Sequence, residues 1–337
     1  MKIQKYNFDV KQVNSFLKLI DILYLKNQNT NLYKNFILDS LKPKNHFYKF
    51  ADIQNFFALE HDSPQGHISA MIDNRLPGVG LVGFFESSNA EIADKLIDLS
   101  IEYFREKGVT TIRGPIDLSI WHRYRFANPA DTGNIFLFEP FNKPKYPEYF
   151  SNYGFKIAEK YFSGLRTDFN DIINYTKDGY DKACQKGFKI RTIKLNEFNE
   201  ELKIIHRLSL EIFKESWSFV PISFEEFSSI YKGIEKKINP RFCEFICDGK
   251  KEIGFCFSIP DFTSREKKLI IKTIGVLPEY QGQNLGLALI YDQHVKAKAD
   301  NFETIVYALM KYGNRASQIN PYGAKIFRDY EIYELEI

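Results

Sequence analysis

Residues 276–290 read VLPEYQGQNLGLALI, and how this stretch is parsed decides the fold. Ahead of it, KLIIKTIGVL (268–277) is a mostly apolar run, the pattern of a buried strand. Behind it, a helix is predicted over roughly 285–299. The loop between them, Gln281 to Gly286, carries two glycines. Such a junction presents several backbone N–H groups and the positive end of a helix at one point. It is built to hold a phosphate or pyrophosphate. Gly282 and Gly286 let the backbone approach a ligand closely. The spacing is neither GxGxxG nor that of a Walker loop.

Working outward, the same order of elements occurs twice, an internal repeat. KIQKYNFDVKQVNSFLKLIDILYL (2–25) reads as a strand and a helix, with Val13, Phe16, Leu17 and Ile20 on one face. KIRTIKLNEFNEELKIIHRLSLEIF (189–213) repeats that plan with Leu202, Ile205, Leu208 and Ile212. Strands follow in each half: FFALEH (56–61), GHISAMIDNR (66–75) and GVGLVGFFE (78–86) in the first, the hairpin FCEFICDGKKEIGFCFSIP (242–260) in the second. The Asp-Gly pair in that hairpin is a turn signal. Helices over 89–107 and 285–299 then lead into VTTIRGP (109–115) and ETIVYALM (303–310). The halves also end alike, NYGFKIAEKYFSGL (152–165) against PYGAKIFRDYEIYEL (321–335). The expected organisation is a half over 1–165, a polar connector over 166–187 with Lys-Asp-Gly at 177–179, and a half over 188–337. The fold class is α/β with a mixed sheet.

Composition narrows the function classes. The chain has 337 residues, 44% hydrophobic and 16% aromatic, with a net charge of +3. Charges are interspersed, so no basic stripe points to nucleic acid as a partner. No apolar run approaches the ~18 residues of a membrane span. MKIQKYNFDVKQ lacks the apolar stretch of a signal peptide, so a cytoplasmic protein is expected. Cys184, Cys243, Cys247 and Cys256 form no CxxC pair and are expected to be buried and reduced. No metal site is expected, because the ligand spacing is missing.

At Val276, Pro278, Gln281, Gly282, Gln283, Asn284, Leu285 and Gly286 the sequence resembles the GCN5-related N-acetyltransferase (GNAT) superfamily. Its acyl-CoA signature is Val-x-Pro-x-x-Arg/Gln-Gly-x-Gly-x-Gly/Ala, between the fourth strand and third helix. Asn284 stands where the family usually has Gly, and Asn tolerates left-handed backbone better than most residues. Further along, ETIVYALM is followed by Asn314 and by Tyr322-Gly323. Over most of the chain the resemblance is to bacterial proteins built from two GNAT-like halves. Asn45-His46-Phe47-Tyr48, GFFES (83–87), RGPIDLS (113–119), ESWSFVPIS (215–223) and SIPDF (258–262) carry it.

The resemblance implies two tandem acyltransferase halves and direct transfer of an acyl group from acetyl-CoA, or another acyl-CoA, to an amine. One donor site is expected, in the second half, because GFFESSNAEIADKL replaces the phosphate loop in the first. Backbone N–H groups of Ile274, Gly275 or Val276 would polarise the thioester carbonyl. Gln281 to Leu287 would hold the phosphates, and Asn314 and Tyr322 would lie near the thiol. The family often carries a Glu on the fourth strand, but here Lys268, Lys272 and Thr273 occupy it. Asp261 is the candidate base; as a loop carboxylate it also suits a capping role. Trp217 and Phe219 are candidates for the wall of the acceptor site, or for core packing. The acceptor would be a small-molecule amine or a peptide. His294 is expected to be exposed or to pack, and Trp121, His122, Arg123 and Arg125 to form a solvated loop, or an aromatic-basic cluster whose arginines suit a substrate carboxylate or phosphate. Two alternatives stay open: a long-chain or Fem-type aminoacyl transferase, and an inert CoA-binding sensor.

Overall fold

The structure, a computed structural model, describes residues 2–337 apart from 8, 9, 25, 27, 43, 132–134 and 315–323. In chain order the first elements are β1 (Lys2–Tyr6), α1 (Val10–Leu23), α2 (Gln28–Ser40), β2 (Ala51–Glu60), β3 (Ser63–Asp73), β4 (Val79–Ser87) and α3 (Ala90–Glu106). There follow β5 (Thr111–Gly114), β6 (Ile116–Asp117), β7 (Arg123–Tyr124), β8 (Phe126–Asn128), α4 (Tyr146–Tyr153) and β9 (Lys156–Arg166). Then come α5 (Asn170–Gln185), β10 (Lys189–Thr192), α6 (Phe198–Ile212), α7 (Phe224–Ile230), β11 (Cys243–Asp248) and β12 (Lys251–Pro260). The chain closes with β13 (Lys268–Val276), α8 (Leu285–Ala299), β14 (Thr304–Lys311) and β15 (Lys325–Glu336).

The chain divides into two compact units, Met1–Lys160 with Tyr330–Ile337, and Tyr161–Asp329. The first unit therefore takes its last strand from the end of the chain, and the second takes residues 161–166 from the end of the first sequence half.

In the first unit the strands run β1-β2-β3-β4-β5-β15. β4 and β5 pair in parallel, and Tyr333–Glu336 of β15 pairs antiparallel with Gly114–Thr111 of β5. Strand alternation sends successive side chains of β3 to opposite faces. Ile68 and Ala70 join the core under α3, with Ile92, Leu96 and Phe104. His67 points the other way and stacks on Phe16 of α1 at 3.9 Å.

In the second unit the order is β9-β14-β13-β12-β11-β10, with β13 and β14 as the parallel pair. Glu244, Cys256 and Ile274 are register partners across β11, β12 and β13, so they share a face. That face carries α8, whose Lys296 meets Glu244 at 2.5 Å. Gly275 lies on the opposite face, where a Cβ would come within 2.7 Å of Ile212 of α6. The close approach of α6 explains the glycine.

The stretch 166–187, expected as a connector, holds a helix. It folds as α5, whose Ile172, Thr176, Gly179 and Ala183 are buried in one stripe. Lys-Asp-Gly reads as a turn, yet Gly179 is a contact residue: a Cβ there would sit 3.0 Å from Leu287 and 3.4 Å from Asn284. Three cysteines are buried as expected, whereas Cys184, on the outer side of α5, is exposed.

Candidate active site

β13 and β14 pair in parallel from Lys268↔Thr304 to Ile271↔Tyr307, where the recorded pairing ends. Both strands run on, to Val276 and Lys311. Leu269–Ile271 are buried, but Lys272–Gly275 are half-buried, as are Leu309–Lys311. Beyond Ile271↔Tyr307 the two strands part, and the space between their C-terminal ends is a wedge.

The edge of β13 that faces this wedge can be read from its hydrogen bonds. The N–H of Leu277 donates to Ile253 O at 2.8 Å, towards β12. In an antiparallel pair, bonds to one neighbour come at alternate residues. Gly275 therefore also points its N–H at β12, and Ile274 and Val276 point theirs into the wedge. Of the three backbone groups expected there, Gly275 is spoken for. Gln281 Nε2 donates to Val276 O at 3.3 Å and pins the loop to the strand end.

The loop has the predicted geometry. Asn284 adopts φ 64° and ψ 12° as the residue before α8 and makes no side-chain cap. Gly282 has φ +82°. A Cβ on Gly282 or Gly286 would meet nothing within 4 Å. The first intrahelical bond is Ala288 N–H to Asn284 O, 3.0 Å. The N–H groups of Leu285, Gly286 and Leu287 thus have no partner inside the helix, as at any helix start. Gln281, Gly282 and Asn284 are exposed, Gln283, Gly286 and Leu287 half-buried, and Leu285 buried. This is a cluster of donors at a positive helix end, suited to a phosphate.

Other candidates fall elsewhere. Asp261 sits beside Lys268, where its N–H donates to Lys268 O at 2.8 Å, at the end of β13 away from the wedge. Its carboxylate accepts from Thr263 N at 2.9 Å and Thr263 Oγ1 at 2.5 Å. It caps the turn, and the expected base role loses its geometry. Asn314 is exposed just past β14. Tyr322 lies outside the described residues. Trp217 and Phe219 are half-buried in the segment after α6 and flank Ser218, which has φ 56°. That segment starts at Ile212, over Gly275, on the sheet face opposite α8. His294 packs: it is fully buried, bonded to Ile290 O and Tyr307 Oη, both at 2.6 Å. Burial pushes its pKa down to about 4.

The first unit repeats the wedge and fills it. Recorded pairing of β4 with β5 ends at Leu81↔Arg113. β6 occupies the opening: Phe84 N donates to Asp117 Oδ1 at 2.5 Å, and a Cβ on Gly83 would collide with Ile116 O. GFFES and RGPIDLS are thus a seat and its plug. Asn89 Oδ1 accepts from Ile92 N at 3.0 Å, so the first turn of α3 is capped by its own chain. Arg123, expected in a solvated loop, is half-buried, pairs with Asp117 at 3.3 Å and stacks on Tyr33 at 4.0 Å. Beyond the plug, Glu86 accepts from Tyr24 and Tyr33 at 2.9 Å each and from Tyr146 at 2.6 Å. Burial raises its pKa to about 7, against the opposing pull of those hydroxyls.

Among solved structures, a tandem GNAT protein from the clavulanic acid biosynthesis pathway aligns over 99% of this chain and 98% of its own, at 11% identity and a TM-score of 0.59. The chain has the tandem GNAT fold. A GNAT from Sphaerobacter thermophilus aligns over 99% of this chain and 95% of its own, at 10% identity and TM-score 0.57. A probable N-acyltransferase from Enterococcus faecalis gives 100% and 72%, at 10% identity and TM-score 0.57. Among curated proteins, a bacterial ceramide synthase from Caulobacter vibrioides is 24% identical over 219 residues, 61% of this chain and 56% of that protein. The match thus spans just over half the length of this relative. No protein-family model matches the chain. In GNAT terms β13 and β14 are the fourth and fifth strands, and α8 is the third helix. Among the described residues, no helix is long and apolar enough to cross a membrane. Nor do they include a group of three His, Cys, Asp or Glu side chains that could hold a metal.

Proposed function

We propose that the second unit is an acyl-CoA-dependent N-acyltransferase with one donor site per chain. The observation that carries this reading is the wedge itself: two N–H groups of β13, Ile274 and Val276, that point away from β12, on the strand that leads into the open first turn of α8. Gln281 to Leu287 hold the donor phosphates. The Ile274 and Val276 N–H groups polarise the thioester carbonyl and stabilise the oxyanion that forms as the amine attacks. The new N–C bond forms, the C–S bond breaks, and the sulfur leaves as thiol with a proton from the nitrogen. The rest of the acceleration is positioning. The acceptor amine approaches on the α6 face, past Trp217 and Phe219. With Asp261 in its turn, no carboxylate of β13 serves as base, and water carries the ammonium proton away. The first unit is structural, its own wedge being plugged at Asp117.

The ceramide synthase similarity favours a second reading of the same site, with a long-chain donor and a lipid amine as acceptor. Calorimetric titration of CoA, acetyl-CoA and palmitoyl-CoA separates the two by rank, and thiol release with an amine panel separates an enzyme from a sensor. Absence of binding by CoA and by both thioesters removes the acyltransferase reading.

A further inference from the structure

Resting on that acyltransferase reading, we propose that Ser163 is a positioning residue whose hydroxyl holds the β14 side of the donor wedge open. β9 and β14 are in register at Gly164↔Tyr307 and again at Phe162↔Met310. Between those pairs one residue of β9, Ser163, faces two of β14, Ala308 and Leu309. That is a β-bulge. Leu309 has φ 58°. A leucine takes this left-handed conformation only where its surroundings over-determine it.

A bulge removes an N–H from the ladder, and a buried N–H needs another acceptor. Here the N–H is that of Leu309, and it donates to Ser163 Oγ at 3.0 Å. Ser163 is fully buried. The bulge lies immediately past Ile271↔Tyr307, the last recorded parallel pair. On the facing wall Lys272 is an extra residue between Ile271↔Ser258 and Thr273↔Phe257. Both walls therefore kink at one level, and the wedge begins there. A straight β14 would go on pairing with β13 and close the space in which the thioester must lie. Ser163 touches no reacting atom. It acts through the backbone of Leu309. It also comes from the strand that the second unit takes from the first sequence half, so residues 188–337 do not include it.

The test uses the full chain as wild type, Ser163→Ala and Ser163→Thr, with amide hydrogen exchange at Leu309 and calorimetric titration of CoA. Wild type and Ser163→Thr should protect the Leu309 N–H and bind CoA alike. Ser163→Ala should lose that protection and bind CoA about tenfold more weakly, the weight of one hydrogen bond, with KM for the amine unchanged. A merely structural serine would lower the Tm of Ser163→Ala but leave its CoA affinity, measured well below Tm, within about twofold of wild type; that result overturns the proposal. Should Ser163→Ala fail to fold, the wild-type amide decides: rapid exchange at Leu309 refutes the bond, and protection supports it. Wild type that protects Leu309 yet binds no CoA overturns the acyltransferase reading, and the positioning role with it, while leaving the hydrogen bond intact.

Discussion

Gly286→Glu should separate the proposed donor site from the scaffold that carries it. A Cβ at Gly286 meets nothing within 4 Å, and the residue lies in the first turn of α8. Replacing a helical glycine recovers about 0.5–1 kcal/mol of chain entropy. A carboxylate in a first turn adds about 0.3–1 kcal/mol through the helix dipole. The folded state therefore gains roughly 1–2 kcal/mol, which raises Tm by several degrees at about 2–4 °C per kcal/mol. Binding responds in the opposite sense. A carboxylate about 4 Å from a phosphate costs about 4 kcal/mol at the effective dielectric of a protein surface. That is a factor of about a thousand in affinity. Differential scanning fluorimetry and calorimetric titration with CoA read the two effects on one sample. Gly286→Ala is the control, with a smaller rise in Tm and retained binding. Unchanged CoA affinity in Gly286→Glu would refute the placement of the donor at this turn, and a Tm lowered by several degrees would refute the open space around it.

Further outcomes follow from other residues. His67, His122 and His294 are each pulled down to about 4 by burial, while Glu86 is raised to about 7 and Glu244 is also raised by burial. Unfolded histidines take up protons below about pH 6.5 that the folded ones refuse, so stability falls on the acid side. Unfolded glutamates release protons above about pH 4.5 that Glu86 and Glu244 keep, so stability falls as pH rises towards their folded values. Three histidines outweigh two glutamates on the acid side, and thermal melts should peak near about pH 6.5; a maximum above pH 8 would contradict the burial of Glu86, whose change to Gln should flatten its limb. Asp261→Asn should leave the pH–rate profile of acyl transfer where it was, and loss of the acid-side limb, where rate rises with pH, would restore Asp261 as the base. Asp117→Ala should lower stability by about 1–3 kcal/mol, since it strips the acceptor from the buried Phe84 N–H, with no change in CoA affinity. Gly275→Ala should push Ile212 off β13 and cost about 1–3 kcal/mol of stability by overpacking, seen in denaturant melts.

The conformation of the strand–loop–helix turn at 276–290 was legible because it is set locally. A strand, two glycines and a helix start within fifteen residues specify the turn, and Asn284 takes the left-handed conformation its residue type allows. The repeat was legible through periodicity, which survives when individual residues diverge. The sequence placed Asp261 in the turn before β13, but not the Thr263 contacts that occupy its carboxylate, which depend on how that turn folds. The α5 helix was hidden by Gly179, which signals a turn in sequence but serves close helix packing in space. The plug at Ile116–Asp117 and the bulge at Leu309 left no pattern, because each depends on a partner strand that sequence does not reveal. Glu86 was unremarked for the same reason: its three tyrosines come from the turn just past α1, from α2 and from α4.

The pairing of β5 with the end of β15 also constrains how this chain is made. Thr111 Oγ1 bonds to Glu336, 225 positions later. During synthesis the ribosome releases β1 to β5 long before Tyr333–Glu336 exist, so the first sheet emerges with an unfinished edge. An open edge is a template for wrong partners, and closing so long a loop is slow. The first unit cannot finish folding until translation has delivered the second. A nascent chain stalled before residue 330 should therefore be protease-sensitive in β5 and should engage chaperones, although nearly all of its first unit has already been made.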